Sequence, residues 1–383
     1  KLVAFHRDAA RHFDARGAAA MAEILALDEG ALADSGLATP ERIAAFERAL
    51  RDRLAEIAPL LEARTAAGKA RRCHGDLTLR NICLFAGEPT PFDAIEFDGR
   101  LGTIDVLYDL AFLLMDLCHR GLADHANLVF NRYLDQADET DGLPSLPFFM
   151  AVRASIRAHV TATQAKSATG EGAATLRAEA QSYFDLAERL IAQRLKMLVA
   201  VGGFSGSGKS TLAAALAPRL GPAPGARILP SDRIRKHMHG VAPTHRLPQE
   251  AYAPEASECV YAQARNDAAR ILALGGAVVV DAVFDRADTA AAIENIAREN
   301  GAPFTGFWLE APRDDMARRI ETRRADPSDA TPAVLDAQIA KGGAPQGWRR
   351  IDATRARADI LADALALLSW KELSRLCRSG RPA

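Results

Sequence analysis

Two stretches of the chain hold residue types whose spacing suits chemistry on phosphate. The first is GGFSGSGKST, Gly202 to Thr211. Gly203, Gly206 and Gly208 let successive backbone N–H groups turn inward around one anion, with Ser205 and Ser207 between them. Lys209 adds a point charge for the outer phosphates, Ser210 offers a hydroxyl to Mg²⁺, and Thr211 continues into a helix. A glycine-rich turn that only lets a strand and a helix pack would not need the Lys-Ser pair. The second stretch is HGDLTLRN, His74 to Asn81. Its Asp76 and Asn81 have the Asp-xxxx-Asn spacing at which a carboxylate orients an acceptor hydroxyl and an amide oxygen binds Mg²⁺.

Further carboxylates and cations stand where they could complete either site. Asp281 ends the apolar run AVVVD and could hold the water shell of Mg²⁺, or cap a turn as any strand-end aspartate does. Asp285 follows and could cap the next helix. Asp232, in LPSDRIRKHM, lies just past a short strand and could orient or deprotonate a hydroxyl. The other reading of this segment is a helix N-cap at Ser231 or Asp232, followed by the solvated cations Arg233 and Arg235. MARRIETRRADPSDA carries Arg318, Arg319, Arg323 and Arg324 at helical spacing, which suits a lid closing on triphosphate, with Arg319 and Arg323 on one face. In the first half, Glu96 lies where a second metal carboxylate is needed, with Asp98 as its substitute.

These groups must be positioned by two kinds of scaffold. Residues 1–70 read as helices, then NICLF and FDAIEF read as strands joined through AGEPTP, and helical periodicity resumes over 106–195 with breaks at 142–144 and 170–172. From MLVAV onward, strand-like runs such as GAVVVDAVF and FTGFWLEA alternate with helical segments, the pattern of a parallel sheet. The expected fold is therefore α/β: a mostly helical domain with a small hairpin over 1–195, a parallel-sheet domain over 196–370 and a tail over 371–383. The opening KLVAFHRDAARHF reads as a helix already under way, which points to a natural start further upstream.

Composition excludes several classes of function. Net charge is -1 over 383 residues, so no global field draws the chain to nucleic acid or to an anionic membrane. VLYDLAFLLMDL is interrupted by Asp109 and Asp116 and falls short of a membrane span. Five scattered cysteines form no CxxC pair and read as reduced thiols of a cytoplasmic protein. The acidic run Asp135, Asp138, Glu139 and Asp141 reads as a solvated face rather than an attractor for a cationic acceptor.

The first half resembles the aminoglycoside phosphotransferases and the sugar- and choline-kinase-like enzymes, through HGDLTLRN, AIEFD and DVLYDLAF. The resemblance is to the catalytic lobe. It implies an acceptor-side role for Asp76, Mg²⁺ ligation by Asn81 and Glu96, and a loop-stabilising role for Asp109. Residues 1–73 show no β-rich lobe with a glycine loop and strand lysine, so this half reads as an incomplete ATP site. The second half, over about 197–370, resembles the P-loop small-molecule kinases, a group that includes gluconate kinase, polynucleotide kinase and the zeta-toxin-like kinases. That resemblance rests on GGFSGSGKST, SDRIRK, Asp281 and the arginine run. It implies ATP and Mg²⁺ as cofactors, Asp232 as the acceptor-side carboxylate, Lys209, Arg319 and Arg323 on the phosphates, and phosphoryl transfer to the hydroxyl of a small molecule. A nucleic acid enters this scheme only as a terminal-hydroxyl acceptor. The rival expectations are a nucleotide-driven regulatory module and a kinase of nucleotide sugars.

Overall fold

The computed structural model describes residues 1–96, 99–192, 196–324 and 326–368. Asp98 and the expected tail over 371–383 lie outside them. The chain separates into two compact units, one running to residue 193 and the other from 194, apart from Pro222–Pro224.

The first unit comprises helices α1 (Leu2–Asp8), α2 (Gly17–Ala33), α3 (Pro40–Ala66), α4 (Gly99–Gly102), α5 (Val106–His119), α6 (Ala123–Leu134), α7 (Leu146–Ser167) and α8 (Gly170–Ala192). Four short strands join them: β1 (Ala70–Arg72), β2 (Ile82–Phe85), β3 (Glu88–Pro91) and β4 (Thr103–Asp105). Helix α3 starts where Thr39 accepts from the Arg42 N–H and Pro40 takes the first helical position, where no N–H is missed. Its Leu50, Leu54, Ile57 and Leu61 repeat every three to four residues and are buried with α5 and α7 in one core.

The hairpin differs from expectation. Strand β2 pairs with β3 from Ile82↔Pro91 to Phe85↔Glu88, so the presumed connector AGEPTP supplies the second strand, and residues 92–96 are irregular. The turn is Ala86-Gly87, with φ of 51° and 79°, the double positive φ that a two-residue hairpin turn needs. Pro89 and Pro91 hid the strand. A proline cannot donate to a ladder, yet it is tolerated in a two-stranded ribbon with an open edge.

The second unit places β5 (Met197–Gly203) at the centre of a five-stranded sheet, with β6 (Arg227–Pro230), β7 (Ala277–Asp281), β8 (Phe304–Glu310) and β9 (Arg349–Asp352). The order is β6-β7-β5-β8-β9 and every pairing is parallel. Its helices are α9 (Lys209–Leu216), α10 (Ser231–Met238), α11 (Pro254–Ala273), α12 (Ala287–Glu299), α13 (Arg313–Glu321), α14 (Pro332–Lys341) and α15 (Arg357–Leu367). All seven residues of β5 are buried, as expected for a strand with neighbours on both sides and helices over both faces. From β5 the chain order of the neighbours diverges, to β7 on one side and β8 on the other. An open sheet binds its ligands at such a switch point, beyond the carboxyl ends of the strands. No helix among the described residues is long and apolar enough to cross a membrane.

Candidate active site

The loop after β5 sits at that switch point. Gly203, Gly206 and Gly208 have φ of 139°, 82° and 100°, conformations open to glycine and strained for other residues. The Gly203 N–H donates to Val283 O at 3.1 Å, and Lys209 Nζ donates to Phe204 O at 3.0 Å, folding the lysine back over the loop. A Cβ on Gly206 would overlap the carbonyl of Met316 on α13. Gly206→Ala therefore forces the loop off its support, and we expect it to weaken ATP binding by about 1–3 kcal/mol, read as a raised Kd in isothermal titration.

Register brings the carboxylates to the same edge. Asp281 ends β7 opposite Val201 of β5, and Pro230, last residue of β6, pairs with Asp281. Asp232 follows two residues later on α10. Burial pushes the carboxyls of both Asp281 and Asp232 upward; Lys209 opposes the shift at both, and a hydrogen bond from Ser210 opposes it at Asp281. Lys209 itself is pushed down by burial and held up by Asp281 and Asp232, while Arg323 lowers it further. The structure thus gathers Lys209, Ser210, Asp232, Asp281 and Arg323 into one electrostatically coupled group.

The helix-capping alternatives for Ser231, Asp232 and Asp285 do not hold. Helix α10 has Pro230 at its N-cap with no side-chain bond, and Asp232 is instead bonded by the Ser328 side chain. Helix α12 has Arg286, not Asp285, at its N-cap. The arginine run is also not one helix, because α13 stops at Glu321 and leaves Arg323 and Arg324 beyond its end. Its members find carboxylates or carbonyls: Arg318 pairs with Asp315, Arg323 faces Asp326 at 3.8 Å, and Arg319 donates to Ala353 O at 2.8 Å and, at 3.4 Å, to the loop carbonyls of Gly206 and Ser207. Arg319 grips the loop from its carbonyl side.

Three contributors escaped the sequence reading. Asp329 accepts from Lys236 Nζ, from the Leu247 N–H at 2.9 Å and from Tyr252 Oη at 2.6 Å, locking the DPSDA segment to α10. Ser328, its neighbour, is thereby set on Asp232. Gln338 of α14 accepts from the Ser205 N–H at 2.9 Å through Oε1. In sequence these partners lie far from the loop, and nothing in their local pattern marks them.

In the first unit, Asn81 Nδ2 donates to both the backbone O and the Oδ2 of Asp76, each at 2.9 Å. The loop carrying them is held from below by α5: Asp109 accepts from the N–H groups of His74 (3.3 Å) and Gly75 (2.8 Å), and Asp116 from that of Leu79 (3.0 Å). The seven-residue spacing of these aspartates puts them on one helix face. Glu96 is exposed and follows Ile95, whose N–H donates to His74 O at 2.9 Å. His6, Cys73 and Asp109 bring three potential metal donors within 4.8 Å of one another. Each is engaged already: His6 bonds Tyr133 and Asp109, and the Cys73 thiol is pushed well up by burial and by the Asp109 and Asp105 charges. They form a structural knot behind the loop.

The acidic run is a solvated face only in part: Asp138 is exposed, and Glu139 and Asp141 turn inward. Glu139 is buried and takes hydrogen bonds from Arg64 and Lys69 at 2.8 Å, while Asp141 takes one from Arg64 at 2.9 Å. Asp105 binds the same guanidinium through both oxygens, at 2.7 and 2.8 Å. Burial works against the Arg64 charge, and the surrounding carboxylates more than offset it.

Against known proteins, residues 2–147 match the phosphotransferase enzyme family and residues 198–345 match an AAA domain. Uncharacterized proteins of Mycobacterium bovis and Mycobacterium tuberculosis are 29% identical over 295 residues, covering 76% of this chain and 58% of theirs. A gluconokinase from Sinorhizobium meliloti 1021 is similar at 22% identity and a TM-score of 0.33, over 49% of this chain and 96% of the gluconokinase. The Mycobacterium tuberculosis APS kinase, solved with AMPPNP and APS, is similar at 19% identity and a TM-score of 0.35, over 45% and 98%. The chain thus joins a stretch that matches the phosphotransferase enzyme family to one that matches an AAA domain, and it spans little more than half the length of its mycobacterial relatives.

Proposed function

We propose that the chain is an ATP-dependent phosphotransferase whose chemistry lies in the second unit and whose acceptor is the hydroxyl of a small molecule. The observation that carries this reading is the convergence of Lys209, Ser210, Asp281 and Asp232 at the switch point of the sheet. The loop N–H groups other than those of Gly203, Ser205 and Ser207, which donate to protein acceptors, bind the phosphates of ATP together with the N-terminus of α9, and Lys209 neutralises their outer charge. Ser210 and Asp281, hydrogen-bonded to each other, are a hydroxyl and a carboxylate side by side, the hard oxygen donors that suit Mg²⁺. When bound there, Mg²⁺ would neutralise charge on the phosphate oxygens. Asp232 orients the acceptor hydroxyl and takes its proton as the new O–P bond forms and the bond to the ADP oxygen breaks.

The first unit lacks an equivalent set among its described residues. Its lysines are committed elsewhere: Lys1 to Glu88 and Thr90, Lys69 to Glu139, and Lys166 to Asp34 O. We read its Asp76-Asn81 loop as scaffold.

The test is a transfer screen with γ-labelled ATP and Mg²⁺, comparing the wild type and Lys209→Ala over sugars, sugar acids, amino alcohols, nucleosides and 5′-hydroxyl oligonucleotides. A labelled product that is lost in Lys209→Ala is the expected result. Tight ATP binding with no product on any acceptor would favour a nucleotide-driven switch instead.

A further inference from the structure

Helix α14 meets the phosphate loop and its neighbours at three points, although Leu335 is its one buried residue. Leu335 is fully buried in a small cluster with Met316, Ala317 and Ile320 of α13, against which Phe204 of the loop packs. Arg313 of α13 grips Asp336 through two bonds of 2.9 and 2.8 Å. At the other end of the helix, Gly342 lies so close to Asp285 that a Cβ would overlap it, and the Gly343 N–H points to Asp285 O. Between these anchors stands Gln338, half-buried, with its Oε1 on the Ser205 N–H.

That bond decides which way the amide faces. An N–H donor requires the oxygen of a glutamine, so the nitrogen must point away from Ser205. No protein acceptor meets Nε2 among the described residues. Two N–H donors are therefore left next to Ser205, while Arg323, which acts on Lys209 and Asp281, and Ser328, which bonds Asp232, lie in the stretch between α13 and α14.

We propose that Gln338 recognises the terminal phosphate of the nucleotide: its amide nitrogen, held in place by the Ser205 N–H, donates to an oxygen of the γ-phosphoryl group. The inference rests on the nucleotide reading of this loop and adds to it the residue that distinguishes a triphosphate from a diphosphate. A neutral amide suits the task. It donates to an anion without the salt bridges that already engage Arg313 and Arg318 of α13.

The experiment is titration calorimetry of the full chain with Mg²⁺ and either ADP or non-hydrolysable β,γ-imido-ATP. It compares the wild type, Gln338→Ala, Gln338→Glu and Lys209→Ala. Gln338→Ala is expected to lose about ten- to a hundredfold in affinity for the triphosphate analogue while keeping its ADP affinity, which also shows that the variant is folded. Gln338→Glu places a negative charge in the same spot and should lose more for the analogue. Lys209→Ala should weaken both ligands. If Gln338→Ala leaves the ratio of the two affinities unchanged, or binds the analogue more tightly, Gln338 is only a brace or a competitor for the loop and the inference is overturned. If the wild type binds neither nucleotide, the nucleotide reading falls and takes this inference with it.

Discussion

Asp232→Asn should lower turnover by about 10²–10⁴-fold, the ordinary worth of a positioned general base, while ATP still binds. The side chain is bonded by Ser328 and faces Lys209; in the role we propose for it, its loss should remove proton acceptance while the loop backbone stays in place. Its carboxyl is raised above the ordinary value of an aspartate, first by burial. Because the ionised form is the base, the acid limb of kcat/KM should lie above the ordinary carboxylate range in the wild type, and Asp232→Asn should lack that limb. Stability should move the other way. A carboxyl with a raised folded pKa contributes stability below its unfolded pKa, and that contribution is lost as pH rises through the folded value. At neutral pH Asp232 is thus a cost to the fold in the absence of substrates. Asp232→Asn should melt at a higher temperature than the wild type at pH 7, and by less at pH 4. Steady-state assays with the acceptor found in the screen and calorimetric melts at both pH values check the two halves of this prediction; an unchanged kcat would remove Asp232 from the mechanism.

The second large effect is expected on folding in the first unit. The Arg64 side chain is fully buried and binds Asp105, Glu139 and Asp141. Arg64→Met leaves three carboxylates around an apolar tip, with only Lys69 still on Glu139. Breaking a buried pair from one side costs about 3–5 kcal/mol, which for a unit of this size is a fall of about 6–20 °C in Tm. Two-state analysis does not suit a chain of two units, so the transitions should be separated by circular dichroism with and without Mg²⁺ and ATP. The transition that nucleotide raises, which the proposed function assigns to the second unit, should be unchanged. Arg64→Lys keeps the charge but not the fork, and should fall between the two. A melt indistinguishable from the wild type would show that the acidic run needs no internal counter-charge.

The sequence was most informative where local chemistry dictates residue type. The loop over Gly203–Ser210 can be read letter by letter, because backbone cradling demands glycine and each charge has one place to stand. Asp281 and Asp232 were legible as residues at or just after the ends of strands, since a parallel sheet collects such positions at one edge. Gln338, Ser328 and Asp329 were not, because each acts through a contact more than 80 residues away that leaves no local pattern. The inward turn of Glu139 and Asp141 was not legible for a related reason: their partner Arg64 is on another helix. A signal did exist there. Arg64 continues the three- and four-residue spacing of Leu54, Ile57 and Leu61 and so falls on the buried face of α3. The arginine run was misjudged because helical spacing carries on in the letters after Thr322 has already ended α13.

The strand order of the second unit also sets a timetable for synthesis. Strand β5, apolar and buried from end to end, is the first of its sheet to be made, yet both its partners come later: β7 starts some 80 residues on and β8 later still. At about 5–20 residues per second, the ribosome leaves β5 unpaired for roughly 4–16 seconds. Local helix pairing in the first unit needs far less time. The helical unit can therefore finish folding while MLVAV is still exposed at the ribosome, which makes that strand the point where a nascent-chain chaperone would gain most by binding.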